Sequence, residues 1–192
     1  QSDAQILPAE EMDFASQVES ALAHQQFYMV YQPQIDFATG KLKGVEALLR
    51  WYHPEKGMIS PEKFIRVAEL TGLIVPLGQW VIRTVCQQAA QWNSHPTLGK
   101  IEVAINISAL QLRGGQLVDE LLHTLQETGL SPQRLVVELT ESAFMQDDDG
   151  EHARMMHALK AAGVKLAIDD FGTGYSCLSY LRNIPGDYLK ID

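Results

Sequence analysis

Acidic and amide side chains recur at one kind of place in this chain, the carboxyl end of an apolar run. Glu46 interrupts Gly44-Val45-Glu46-Ala47-Leu48-Leu49-Arg50, and Asn106 follows Val103-Ala104-Ile105. Glu138 and Leu139 follow Val136-Val137, Asp169 and Asp170 follow Leu166-Ala167-Ile168, and Lys190 and Asp192 flank Ile191 at the end. A single acidic residue in such a place is ordinarily a helix cap or a surface charge. Five successive apolar runs, each tipped by a carboxylate, carboxamide or ammonium, are poorly explained that way. Carboxylates gathered in a half-buried place repel and shift one another's pKa values, and burying them without partners costs several kcal/mol per ion. A bound cation resolves the conflict. Oxygen donors without His or Cys suit hard ions, so Mg²⁺ or Mn²⁺ is favoured over Zn²⁺ or copper. A phosphate ester is the substrate that a pair of such ions most often serves.

The stretch Asp169-Asp170-Phe171-Gly172-Thr173-Gly174-Tyr175-Ser176 adds detail. Adjacent aspartates can serve two ions only where the backbone turns sharply, and Gly172 and Gly174 are expected to permit that turn and to bring N–H groups near an oxyanion. Ser176 is placed to cap a following helix. Lys190, on a strand beside the carboxylates, can orient or help deprotonate an attacking water, or offset developing charge. Arg50 lies four residues after Glu46, on the same strand face by alternation, where a guanidinium can hold a phosphate or form a structural ion pair. The six histidines make no ligand set: His152 and His157 are five apart on a helical pattern and do not share a face, and His53-Pro54 reads as a turn.

The elements that must position these residues are legible from periodicity. Phe14, Val18, Ala21 and Leu22 mark a lead-in helix within residues 1–25, expected to follow a linker. Phe27–Ile35 and Leu42–Trp51 are strand-like, and the link Asp36-Phe37-Ala38-Thr39-Gly40-Lys41 is too short for a crossover, so these two strands are expected antiparallel. Ser60-Pro61 reads as an N-cap and first helical residue, with Phe64, Ile65 and Ala68 as the buried face. A longer helix carries Leu77, Trp80, Val81, Thr84, Val85, Gln88, Ala89 and Trp92. Strands over 101–107, 135–139, 164–168 and 188–191 alternate with helices ending at Gly129 and Gly163, and a short helix is expected over 178–181. Asp147, Asp148 and Asp149 read as a solvated first helical turn. Strands this apolar are buried on both faces, the mark of a parallel sheet, so the chain is α/β, either doubly wound or a (β/α)8 barrel. In a barrel the carboxyl ends of the strands share one mouth, where active sites lie.

Composition narrows the function. The 192 residues fit one domain, and 46% hydrophobic content supports a real core. A net charge of -9 argues against gripping DNA or RNA by its phosphates. No run is long and apolar enough to span a membrane, and no signal peptide is visible. Cys86 and Cys177 give neither a disulfide framework nor a zinc spacing, which makes a reducing cytoplasm the default. The chain starts at Gln1, so a natural translation start is not expected there.

The motifs Tyr31-Gln32-Pro33, Glu46-Ala47-Leu48-Leu49-Arg50-Trp51, Asn106-Ile107-Ser108, Glu138-Leu139-Thr140-Glu141-Ser142, Asp169 to Ser176 and Lys190-Ile191-Asp192 resemble those of the EAL-domain cyclic di-GMP phosphodiesterases, from about Phe14 to Asp192. The resemblance implies a TIM-like (β/α)8 barrel with an antiparallel first strand, over residues 26–192, holding two Mg²⁺ or Mn²⁺ ions. It implies Glu46, Asn106, Glu138 and Asp169 as metal ligands, Asp169 bridging, Asp170 serving the second ion, and Asp192 as a further ligand. Lys190 corresponds to the family's water-orienting lysine, which with Glu46 and Asp169 makes the catalytic set. Gln32 corresponds to a guanine contact, Leu48 to a substrate contact, Arg50 to a phosphate contact and Glu141 to a loop-holding residue. The implied reaction is hydrolysis of cyclic di-GMP to linear pGpG in bacterial second-messenger signalling. The implied partners are an upstream sensor or GGDEF domain and a second copy in a homodimer, in the cytoplasm or on the cytoplasmic side of a larger membrane-anchored protein. The family pattern continues for two βα units past Lys-x-Asp, with another glutamate ligand and a glutamine, so the barrel is expected to be truncated after about strand six and the gene product to be longer. The alternative is a degenerate EAL domain acting as a non-catalytic cyclic di-GMP receptor or interaction module.

Overall fold

The computed structural model describes residues 8–113, 115–140, 143, 150–172 and 185–191. Helix α1 (Ala9–Ala23) leads into strand β1 (Phe27–Ile35), which pairs antiparallel with β2 (Leu42–His53) as the short link requires. Asp36 builds that link: its Oδ1 accepts from the backbone N–H of Thr39 at 2.7 Å and from the Thr39 hydroxyl. The expected turn at His53-Pro54 is flanked by a strand missed in the sequence, β3 (Gly57–Ile59), which folds back onto the end of β2. Three residues carry no readable period.

Helix α2 (Pro61–Thr71) begins where the Ser-Pro pair suggests, but the Ser60 side chain makes no capping hydrogen bond. Its buried face is Phe64, Val67 and Ala68, with Ile65 half-buried. Helix α3 (Ile74–Gln91) is buried over a wider arc than the expected stripe, taking in Ile82 and Cys86, while Gln88, Trp80 and Trp92 are only partly covered. Strand β4 (Glu102–Asn106), the single turn α4 (Ala109–Leu112), α5 (Gln116–Thr128), β5 (Leu135–Thr140), α6 (Glu151–Ala161), β6 (Lys165–Phe171) and β7 (Tyr188–Ile191) complete the order. Helix α5 stops at Gly129, whose φ of 69° is the left-handed conformation glycine adopts without steric cost. The helix expected over 178–181, the glycine at 174, Ser176, Cys177 and the aspartates 147–149 lie outside the described residues.

The sheet runs β1-β2-β4-β5-β6-β7 with β3 on the flank of β2. Every pairing from β2 through β4, β5, β6 and β7 is parallel. Alternation splits each strand between two environments. Val45, Ala47, Val103, Ile105, Val137, Leu139, Leu166 and Ile168 pack with Val85, Leu121, Leu125 and Leu159 of the helices in the main core. The opposite face carries the small buried residues Ala104, Val136 and Ala167, with Tyr188 against them. A second core sits at the start of the chain, where Trp51 meets Phe14 at 5.5 Å and Phe64 at 5.8 Å between ring centroids. Trp51 is fully buried, and its indole N–H donates to Gln26 at 3.0 Å, so the one polar atom on that ring is satisfied. Helix α1 is tied to the sheet by this cluster.

Candidate active site at the strand ends

The site follows from register. Glu46 pairs across the sheet with Ala104, and Asn106, two residues on and therefore on the same face, pairs with Glu138. Glu138 pairs with Ala167; Asp169 is two residues beyond Ala167, and Lys190 two beyond its other partner, Tyr188. Four neighbouring strands plus β7 thus deliver their polar tips to one side of the sheet at its carboxyl end. One oxygen from each of Glu46, Glu138 and Asp169 lies within 4.8 Å of the other two. Asn106 Nδ2 donates to Glu46 Oε1 at 2.9 Å.

Lys190 occupies the centre. Its ammonium reaches Glu138 Oε2 at 2.6 Å, Asp169 Oδ2 at 2.9 Å and Glu46 Oε2 at 3.2 Å. Three carboxylates against one ammonium leave two negative charges uncompensated, which is the charge of one divalent cation. Burial pushes the Glu138 carboxyl up, the charges of Glu46 and Asp169 push the same way, and the Lys190 hydrogen bond opposes them. Burial alone would depress Lys190; its bonds to Glu138 and Asp169 and the surrounding negative charge outweigh that and hold the ammonium well above the ordinary lysine range. Part of both shifts has one origin, an excess of negative potential that binds protons and would bind metal ions equally well.

At Asp169 the strand departs from regular geometry. Ile168 pairs with Leu189 and Phe171 with Ile191, so two residues of β6, Asp169 and Asp170, face the single Lys190 of β7. This is a bulge, a device that re-aims side chains beside active sites. The turn begins at Asp170, at φ 55°, a left-handed conformation that aspartate tolerates, and the expected glycine contributes to it: Gly172 has φ 99°. Its N–H donates to Asp169 Oδ1 at 2.9 Å, leaving Oδ2 for Lys190. Asp170 is exposed and outside the close triad of carboxylates.

The other residues singled out from sequence are distributed around this centre. Leu48 and Arg50 line a cavity of about 260 Å³ that Asn106 and Glu138 also border. The Arg50 guanidinium donates to the Leu49 carbonyl at 2.9 Å and has no carboxylate partner among the described residues, so the ion pair considered for it is not formed there. Gln32 is exposed on β1, directly opposite Glu46 in the register. Glu141 and Asp192 lie outside the described residues. His152 is buried, its Nδ1 2.8 Å from the Ala143 carbonyl, while His157 is exposed, in keeping with packing and surface roles.

A family model for the EAL domain matches residues 15–192. The chain belongs to the EAL domain family. Among relatives of this EAL domain are the Pseudomonas aeruginosa bifunctional diguanylate cyclase/cyclic di-GMP phosphodiesterase MucR, 42% identical over 95% of this chain and 26% of the relative, and the cyclic di-GMP phosphodiesterase NbdA of the same organism, 39% identical over 97% of this chain and 24% of the relative. The chain therefore spans about a quarter of the length of these relatives. The solved structure of the PaMucR phosphodiesterase in complex with c-di-GMP superposes with a TM-score of 0.87 at 42% identity, covering 94% of this chain and 72% of that one. The EAL domain thus has the TIM-like barrel architecture with an antiparallel first strand that the motifs imply. Among its described residues no helix is long and apolar enough to cross a membrane.

Two groups of polar residues in this EAL domain lie outside the set expected from the sequence. Glu69 of α2 accepts from the Ser108 hydroxyl at 2.6 Å beside the cavity; only the tertiary fold joins residues 39 positions apart. At the opposite end of the inner sheet face, Lys165 pairs with Glu102, and the Tyr188 hydroxyl donates to the same carboxylate at 2.8 Å. Each begins a strand, and alternation alone could have placed the three together.

Proposed function

We propose that this EAL domain is a metal-dependent phosphodiesterase that hydrolyses cyclic di-GMP to linear pGpG. The observation that carries the reading is the convergence of Glu46, Glu138 and Asp169 around Lys190, with two negative charges left over, in a family whose relatives are named for this reaction. The donor set fits hard divalent ions: carboxylate oxygens without His or Cys. Glu46, Asn106, Glu138 and Asp169 would hold one Mg²⁺ or Mn²⁺, Asp169 and Asp170 a second, with Asp192 as a further ligand. Bound there, the ions supply Lewis acidity, lowering the pKa of a water and neutralising phosphoryl oxygens.

The chain's own groups do the rest. The bulge at Asp169 turns successive carboxylates in different directions, which suits service to two ions. Lys190, held protonated in this geometry, donates hydrogen bonds instead of taking a proton, so it orients the water and offsets charge growing on the phosphoryl group. Arg50 brings a cation to the cavity that Leu48 lines, where it holds a substrate phosphate, and Gln32 meets the guanine. Glu141 anchors the loop after β6. The attacking water supplies the new oxygen on phosphorus, one P–O bond breaks, and the leaving oxygen takes the proton. The domain works in the cytoplasm, as a homodimer, beside an upstream sensor or GGDEF domain.

Chromatography of cyclic di-GMP incubated with the full-length protein tests this. Linear pGpG should accumulate with Mg²⁺ or Mn²⁺, stop with chelator, and fail with Ca²⁺ alone, which prefers more ligands at longer distances. Glu46→Ala should abolish it. Tight binding of cyclic di-GMP without metal-dependent loss of substrate would instead mark a receptor.

A further inference from the structure

The turn after β4 is fastened from three directions. Ser108 sits two residues past Asn106 and starts α4. Its backbone N–H donates to Gln111 Oε1 at 3.0 Å, and its hydroxyl accepts from the Leu110 N–H at 3.3 Å. With its acceptor side so used, the hydroxyl turns its proton to Glu69 Oε1 at 2.6 Å, a short bond to a charged acceptor. Gln111 is itself buried against α3, where a Cβ at Gly78 would lie 1.9 Å from Gln111 Nε2. Glycine at 78 leaves the notch the glutamine fills. Between the two, the Ile107 N–H donates to the Glu138 carbonyl at 2.9 Å. Helices α2, α3 and α4 therefore fix the backbone immediately beyond Asn106.

That backbone determines where the Asn106 amide points. Nδ2 is committed to Glu46 Oε1, while Oδ1 accepts no hydrogen bond among the described residues. Ser108 and Glu69 border the same cavity as Asn106 and Glu138. We propose that Glu69 is a positioning residue for the metal centre: through the Ser108 hydroxyl it locks the β4–α4 turn so that the Asn106 carboxamide oxygen is presented to the cation. The inference rests on the phosphodiesterase reading and adds to it a residue from outside the strand ends. Groups that orient metal ligands typically change metal affinity 10–100-fold when removed.

The experiment is calorimetric titration of the full-length protein with Mn²⁺ alone, with turnover of cyclic di-GMP alongside. Glu69→Ala should weaken Mn²⁺ binding about 10-fold and lower kcat at saturating metal-free substrate stocks in fixed Mn²⁺. Ser108→Ala should do the same, and the double variant should be no worse than either single one, because both act through one bond. Glu69→Gln, whose amide oxygen can still accept from Ser108, should stay within about twofold of wild type. A purely structural role would lower the melting temperature and leave Mn²⁺ affinity in place. Unchanged affinity in Glu69→Ala and Ser108→Ala, or additive losses in the double variant, overturns the proposal. Should Glu69→Ala fail to fold, Ser108→Ala decides alone. If wild type binds Mn²⁺ and hydrolyses substrate while the variants match it, this inference alone fails; if wild type binds no Mn²⁺, both readings fail.

Discussion

Lys190→Met isolates the electrostatics of the site. Lys190 bonds all three carboxylates, and Glu138, its closest partner, is only 2% exposed. The methionine keeps most of the volume and removes the charge. Unpairing a buried ion costs 3–5 kcal/mol, but Lys190 is 29%, Glu46 18% and Asp169 22% exposed, so water screens part of it and the expected loss is about 3 kcal/mol. For a domain of this size that is a fall of roughly 6–12 °C in melting temperature, measured in chelator. The same change removes a cation that competes for the metal's oxygens, so Mn²⁺ affinity should rise about tenfold or more. Added Mn²⁺ at a hundredfold excess over its Kd contributes about 2.7 kcal/mol and should restore most of the lost stability. Turnover should stay low in the restored protein, since the proposed water-orienting donor is gone. A variant as stable as wild type in chelator, or one that binds Mn²⁺ more weakly, would refute the account of Lys190 as the occupant of a site short of positive charge.

Other expectations follow from single contacts. Glu46→Ala should abolish detectable Mn²⁺ binding by calorimetry and reduce kcat at least about 100-fold, since it removes a proposed ligand and a partner of both Asn106 and Lys190. Asp187 pairs with Lys160 and accepts from the Leu166 N–H at 2.8 Å, and although burial opposes it, these partners hold its carboxyl below the usual range. Its stabilisation is present above the unfolded value near 3.9 and lost as pH falls through the folded one, so Asp187→Asn should cost about 1 kcal/mol at pH 7 and progressively less as the pH is lowered below that unfolded value in urea melts. Gly78→Ala should displace Gln111 and cost roughly 1–3 kcal/mol by thermal melting. Burial pushes the Cys86 thiol up to about 12, so a thiol reagent at pH 8 should reach it only after unfolding.

Apart from the three-residue β3, the strands were legible as apolar runs, most of them ending in a polar tip, and the β1–β2 hairpin because six residues cannot carry a crossover. The gathering of Glu46, Asn106, Glu138, Asp169 and Lys190 at one end followed from alternation along parallel strands. What escaped the sequence depends on contacts between elements. The width of the buried arc on α3 is set by several neighbours, the sheet and the helices α2, α4 and α5, so Ile82 and Cys86 fall outside a single stripe. The bulge at Asp169 needs the register of β7, and the left-handed backbone of Asp170, which precedes that of Gly172, has no residue-type signal. Glu69 has no signal in the sequence, because its partner Ser108 is brought to it only by the tertiary fold.

Beneath the carboxylates, Ala104, Val136 and Ala167 are all nearly sealed from solvent, with Tyr188 closing over them. Across strands β4 to β7 the carboxylate cluster therefore stands on an apolar floor. Among the described residues this apolar layer separates the carboxylates from the Glu102–Lys165 pair below. An apolar base screens less than water does, so the carboxylates above it interact more strongly than they would on an open surface, with partial exposure at the rim moderating the effect.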